Sequence, residues 1–407
     1  MSAEDARRLG WPIIATDFTC EREIGWNHRH LDQLREDAPF AWNDSTYGFW
    51  MVNRYEHVRE ALATPEVFSN QRTSALGDPR VKPRLLPQNL DGAQHMAYRH
   101  VLNPWFSPAA VARTEPLMRR RSIEMIEALR PIGHCDLAKQ LAMELPTEVF
   151  LAHLGLPIED GPPMLPLVEA MFRGFFGGDP RELDVTTDAI KTYFRGHLDD
   201  RRRQPRDPST DFMSYLVTVD VGEAPLEPED AVTLAFTIML AGLDTTRSAL
   251  GFVFHHLATH AEHRRWLASS PGDITVAVEE FLRAYPLLLQ SGRLVTRDVD
   301  FHGCPLRAGD IVWLGLASAN RDPRQFDHAA EFLQDRVVNR HIAFGAGPHR
   351  CLGAHLARVE LAVVIEEWLQ RIPEFVLDGD PELRERGGQL MLRSVPLRWP
   401  ATREPTT

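Results

Sequence analysis

The chain has 407 residues, a formal net charge of −12 and only three lysines, Lys82, Lys139 and Lys191, so arginine carries nearly all the positive charge. An acidic balance of that size makes nucleic acid an unfavourable partner. The four cysteines, Cys20, Cys135, Cys304 and Cys351, lie far apart, which argues against a disulfide framework and against a four-cysteine zinc site.

The N-terminal stretch MSAEDARRLGWPII mixes acids with arginines around no long apolar core, unlike a secretory signal. Length alone suggests two or three domains. No Gly/Ser linker, repeat or low-complexity block divides the chain, so one unit spanning 1–407 is expected. Residues 45–70 predict a strand feeding a helix in which Tyr55, Val58, Ala61 and Leu62 share a face. Residues 71–92, rich in Pro, Gly and Arg, predict a long loop, a common form for lids and binding segments. A helix over 94–106 follows, stopped near Pro108. From 108 to about 285 the periodicity is helical, with breaks at 131–133, 156–157, 177–180 and 204–209. The longest helix covers 229–260. Its apolar run AVTLAFTIMLAGL is shorter than the roughly 20 residues a bilayer span needs, so a buried helix and a soluble, cytoplasmic protein are expected. Residues 273–285 predict a helix ended by Pro286. Beyond 290, LVTRDVDFHG and IVWLGLAS predict short strands, 353–371 a helix, and 388–399 another strand pair. The expected fold class is mainly α with small β-sheets, the sheets concentrated in the C-terminal third.

Cys351 sits in FGAGPHRCLG, residues 344–353. An arbitrary cysteine is a small buried hydrophobe. Here three nearby glycines allow tight turns and close approach, and the helical LGAHLARVEL follows. A cysteine just before a helix N-terminus meets the dipole and free N–H groups that favour a thiolate. Zinc would use Cys351, His349 and His355 but lacks a second ligand pair. A nucleophile would need an oriented base, an alternative that stays open. One axial thiolate to a haem iron needs one cysteine.

Three further segments break local rules. Glu280 and Arg283 stand inside an apolar helix, where charges survive only when paired and hydrogen-bonded; the plain alternative is a surface pair worth a few tenths of a kcal/mol. AGLDTT, 241–246, puts Gly242, Asp244, Thr245 and Thr246 in the middle of the longest helix, where all are poor formers. Such a break marks a functional site, or else a kinked helix with a threonine hydroxyl bonded back to a carbonyl. His95 and Arg99 lie one turn apart on one face, by default a solvated one.

Taken in order, these segments resemble the cytochrome P-450 family. Phe344, Gly347, Cys351 and Gly353 stand at the spacing of its haem-binding loop. The resemblance runs from FWMVNRYEHVREAL to the last strands, dense after 230 and thin between 130 and 228. It implies the cytochrome P-450 fold and heme b (iron protoporphyrin IX) with Cys351 as axial iron ligand. It implies His95, Arg99, Arg293 and His349 on the propionates, and Asp244 and Thr245 in oxygen activation and proton relay. It implies a lock of Glu280, Arg283 and Arg336, although Gln334 stands where the family usually has proline. The implied activity is a monooxygenase inserting one oxygen atom from O2 into a C–H bond of a small apolar substrate. The C-terminal half resembles bacterial hydroxylases of small terpenoids.

The chain carries no flavin or iron–sulfur segment, so electrons are expected from a ferredoxin with an NAD(P)H-dependent reductase. Candidates for its docking face are Arg119, Arg120, Arg121, Arg350 and Arg358. Expected pocket lining is Phe172, Phe175, Phe176, Leu240, Ala241, Leu287, Leu288, Leu289, Leu390 and Met391, with ordinary core packing as the plain alternative for each. Arg72, Arg80 and Arg84 are candidates for a substrate carboxylate. Competing activities are a peroxide-using or non-oxygenating family member and a non-catalytic haem-binding protein. The intact acid–alcohol pair favours dioxygen. No membrane or nucleic-acid partner is expected.

Overall fold

The computed structural model describes residues 3–76, 84–175, 179–386 and 388–401. These group into two compact units built from interleaved stretches: Met1–Met96, Val276–Leu352 and Leu383–Met391 in the first, the remainder in the second. No contiguous boundary exists for a linker to mark.

The first unit is organised by a six-stranded sheet. In chain order its strands are β1 (Ile13–Ile14), β2 (Phe40–Asn43), β3 (Phe49–Val52), β4 (Phe68–Ser69), β5 (Ser291–Val295) and β6 (Ile311–Leu314). Across the sheet they run β1-β2-β3-β6-β5-β4. The β6–β3 pair is parallel, Val312 opposite Trp50, whereas β6–β5 and β5–β4 are antiparallel. Every residue of β2 and β3 is buried, so both read as short apolar runs without alternation. Four of the six strands come from the first 70 residues. Eight of the fifteen strands among the described residues do lie beyond 290, as expected, but this sheet draws mainly on the N-terminal end. A two-residue strand such as β1 or β4 is too short to show a period. The core beneath includes Phe40, Trp50, Val58, Leu62, Phe68, Phe301, Val312 and Leu314.

Five helices carry the residues of interest: α1 (Gly92–Leu102), α2 (Pro108–Leu129), α3 (Pro228–Thr259), α4 (Ile274–Ala284) and α5 (Ala354–Arg371). The second unit is mostly helical, and α5 packs along α2. The Arg119 guanidinium of α2 pairs with Glu366 at 2.8 Å and with Glu367, and Arg371 of α5 with Glu127 at 3.1 Å. The strands expected near 388–399 form, but not with each other. Gln389–Ser394 pairs with Glu382–Arg386, and Pro396–Arg398 pairs with His134–Asp136, a strand the helical periodicity hid.

Candidate active site

The four cysteines separate by environment. Cys135 and Cys304 are buried, and burial pushes each thiol up to about 12, the behaviour of structural hydrophobes. Cys20 is exposed and bonds Asp17. Cys351 is exposed, held by its N–H donating to Phe344 O at 2.9 Å, three residues before α5. The loop glycines differ in purpose. Gly347, at φ 69°, would drive a Cβ to 2.6 Å from Leu62 O, so it is required for packing on the helix Tyr55–Ala63. Gly345, at φ 70°, and Gly353 face open space. Close approach to a flat group is thus available at Gly345 and Gly353, whereas Gly347 serves the protein's own packing.

Also in the first unit, His349, Arg293 and His95 converge on Asp91, which sequence reasoning missed. His349 Nε2 is 3.0 Å from Asp91 Oδ1, and the His349 ring lies against that of His95, centroids 3.9 Å apart and planes tilted by 33°. Burial alone would raise the Asp91 carboxyl. Hydrogen bonds from His349, Ser69 and the Asn70 N–H outweigh it and hold the group below its usual range. Arg293, on β5, is only 3% exposed and bonds Ser291 Oγ at 2.6 Å and Gly292 O at 2.7 Å, both neutral acceptors. Burial lowers it to about 10, with the Asp91 carboxylate acting in the opposite direction. No sequence signal separated Asp91 from an ordinary residue ahead of a helix.

The lock is explicit. Glu280 and Arg283 of α4 are both fully buried. Arg283 donates from Nε and Nη2 to the two carboxylate oxygens at 2.7 and 2.8 Å, and from Nη1 to Asn320 O and Ala329 O. Glu280 also accepts from the Leu333 N–H and from Asn339 Nδ2. Arg336 Nε lies 3.0 Å from Glu280 Oε2, in ion-pair range but off the hydrogen-bond direction. Its Nη2 donates to Asp327 O.

In the second unit, α3 is buried without interruption from Asp230 to Met239 and again from Ser248 to Phe254. Between them Leu240, Gly242, Asp244 and Thr245 are half-buried and Ala241 is exposed. AGLDTT does not break the helix, which runs through it. Thr245 Oγ1 donates to Ala241 O at 2.9 Å and Thr246 Oγ1 to Gly242 O at 3.1 Å. Thr233 and Thr237 bond back in the same way, so the bond itself is ordinary for threonine in this helix. What distinguishes Thr245 is exposure. Arg99 of α1 bonds Asn103. Sequence reasoning also passed over Glu360 of α5, 3% exposed. Burial pushes it up to about 8, and its Oε1 has no partner among the described residues.

The expected pocket residues divide. Phe172 and Leu287 are half-buried and Leu288 is 40% exposed. Leu289 and Leu390 are fully buried, their backbones laddered to Gly388 and Leu287, so core packing claims them. Phe176, Arg80 and the side chains of Phe175 and Met391 lie outside the described residues. Arg72 is buried and Arg84 exposed. Arg119 and Arg121 are matched within the chain: Arg121 binds Glu148 through Nε at 2.6 Å, and Glu124 as well. Neither is a free cation for docking. Among the described residues no helix is long and apolar enough to cross a membrane, and no group of three or more His, Cys, Asp or Glu is placed to hold a metal ion.

The cytochrome P-450 family model matches residues 158–268 and 274–400. Probable cytochrome P-450 127A1 from Sinorhizobium fredii is 32% identical over 357 residues, 86% of this chain and 84% of that protein. Mycinamicin IV hydroxylase/epoxidase from Micromonospora griseorubida is 32% identical over 382 residues, 90% and 93% of the two chains. Cytochrome P-450-terp from a Pseudomonas species is 28% identical over 397 residues, 90% and 92%. The crystal structure of CYP101J2 matches with a TM-score of 0.86 at 31% identity, covering 95% of this chain and 97% of that one.

The residues present fit haem. Arg293 is buried and its hydrogen bonds go to neutral acceptors, Cys351 offers an exposed thiol, and Gly345 and Gly353 each face open space. One thiol and one buried arginine are what an iron porphyrin with carboxylate arms requires.

Proposed function

This chain belongs to the cytochrome P-450 family, and we propose that it hydroxylates a small apolar substrate, a terpenoid, with electrons from a separate ferredoxin and its NAD(P)H-dependent reductase. The haem b of the family supplies the oxygen chemistry: O2, two electrons and two protons give one inserted oxygen atom and one water. Cys351 would hold the iron through its thiolate. Arg293, with His95 and Arg99, would hold the propionates, while His349, expected there too, uses both ring nitrogens on Asp91 and Asn70. Thr245 donates its own proton to Ala241 O, which leaves the lone pairs of Oγ1 to accept another. Asp244, half-buried on the same turn, is the acid that delivers it. All 407 residues serve one catalytic domain in this proposal, because the two units interleave along the chain.

The observation that carries the proposal is the exposed Cys351 at the end of its glycine loop, when two other cysteines are deeply buried. Relatives named as a hydroxylase/epoxidase and as P-450-terp support oxygenation and are consistent with a terpenoid. Of the docking arginines, Arg350 and Arg120 remain exposed and Arg358 half-buried, and each stays a candidate contact for the ferredoxin.

Reduction followed by carbon monoxide should give the strongly red-shifted Soret band of a thiolate ligand, and Cys351→Ala should abolish it. A histidine-type band in the wild type would overturn the ligand assignment. Reductant consumption with a surrogate ferredoxin should rise when a small terpenoid is added. A non-catalytic haem carrier would consume almost none.

A further inference from the structure

Asp91 gathers a cluster whose geometry exceeds what an ordinary helix start needs. Its Oδ2 accepts from Ser69 Oγ at 2.5 Å, and its carboxylate accepts from the Asn70 N–H at 3.1 and 3.2 Å. Its Oδ1 faces His349 Nε2 at 3.0 Å. The side-chain amide of Asn70 bridges Gln88 O at 2.5 Å and His349 Nδ1 at 3.1 Å. Because Asn70 Nδ2 must donate to the Gln88 carbonyl, its orientation is set, so Nδ1 of His349 accepts and Nε2–H donates to Asp91. Both nitrogens of His349 are then used inside the cluster, and one imidazole orientation satisfies both. His95, whose N–H reaches Asp91 O at 3.4 Å, lays its ring on that imidazole. Arg293 is electrostatically coupled to the same carboxylate.

We propose that Asp91 is a positioning residue for the haem-carboxylate clamp: it fixes the His349 and His95 rings beside Arg293, and its charge tunes the haem. This rests on the assignment of Arg293 to the propionates; His349, with both ring nitrogens engaged by Asp91 and Asn70, contributes the ring it holds against His95. Asp91 touches no reacting atom. It acts through His349, and its fixed negative charge near the propionates disfavours reduction of the iron.

The test uses the holoenzyme and measures hemin loss to a competing apo-globin, together with the reduction potential. Asp91→Ala should speed hemin loss about tenfold, as should His349→Ala. The double variant should be no faster than either single one, because both remove the same strut. Asp91→Asn keeps an acceptor for Nε2–H, so hemin loss should stay within twofold of wild type. Its potential should rise with the lost charge by about threefold in the reduction equilibrium, about 28 mV at 59 mV per tenfold. Unchanged hemin loss in Asp91→Ala, or additive losses in the double variant, would overturn the inference. If Asp91→Ala yields no folded protein, the Asp91→Asn potential decides, and no shift overturns it. If Arg293→Ala retains hemin normally, the propionate assignment fails instead, a result distinct from failure at Asp91.

Discussion

Helices α4 and α3 each carry polar residues within an apolar stretch, yet the two sites are built oppositely. Glu280 and Arg283 are fully buried, and backbone groups around Asn320, Ala329 and Leu333 complete their hydrogen bonding. Asp244 and Thr245 stand where α3 opens, and Thr245 is bonded to its own helix. The first arrangement spends its polarity on joining segments far apart in sequence. The second keeps a hydroxyl and a carboxyl half-accessible, as the proposed proton relay requires. Polar residues in an apolar helix therefore mark a site, and only their partners tell whether it holds the fold or does chemistry.

The comparison breaks most visibly at the lock. Glu280→Ala leaves Arg283 buried and uncompensated and should cost about 3–5 kcal/mol, a large share of a typical 5–15 kcal/mol. Thermal melts and haem incorporation check this, and Arg283→Lys should not rescue, since the fork bonds both carboxylate oxygens. At the open turn the effects reverse. Thr245→Ala should cut product formed per reductant by roughly 10²-fold while leaving the melting temperature nearly unchanged, because alanine is the better helix former. A Thr245→Ala variant that is fully coupled but unstable would make AGLDTT a structural motif.

A smaller effect comes from pH. Burial holds His256, further along α3, at about 3, and His153 at about 4. Their folded-state values lie below the unfolded 6.5, so the unfolded chain takes up the protons first. Stability is complete above pH 6.5 and falls as pH drops toward 4, by at most about 1.4 kcal/mol per unit per histidine. Glu360 runs the other way. Its folded-state value is raised, so stability is full below about 4.5 and is lost as pH climbs toward 8. Urea melts from pH 5 to 8 should trace a dome. His256→Gln should flatten its acid limb and Glu360→Gln its alkaline limb. The smallest change is expected at Arg120, an exposed side chain 3.9 Å from Glu124. Arg120→Gln should shift stability by less than about 0.5 kcal/mol yet slow electron transfer from ferredoxin at low salt. Equal slowing by Arg119→Gln would argue against Arg120 as a contact, since Arg119 is already neutralised by Glu366 and Glu367.

The helices were legible because α3, α4 and α5 are long enough to show a period and have polar breaks where none is expected. The Cys351 loop was legible because a cysteine among glycines before a helix is rare chemistry in one short window. The sequence by itself determined the helical class, the thiolate candidate, and the rule-breaking residues of α3 and α4. Tertiary structure alone decided which strands pair, since β1 and β4 are two residues long and Pro396–Arg398 finds its partner at His134–Asp136. It alone assigned Gly347 to packing on Leu62, consumed the charges of Arg119 and Arg121, and drew Asp91 to His349 across 258 positions. The reason is physical. Periodicity and turn chemistry act over a few residues and are written locally, whereas a hydrogen bond or ion pair depends on which distant groups the fold brings within about 3 Å.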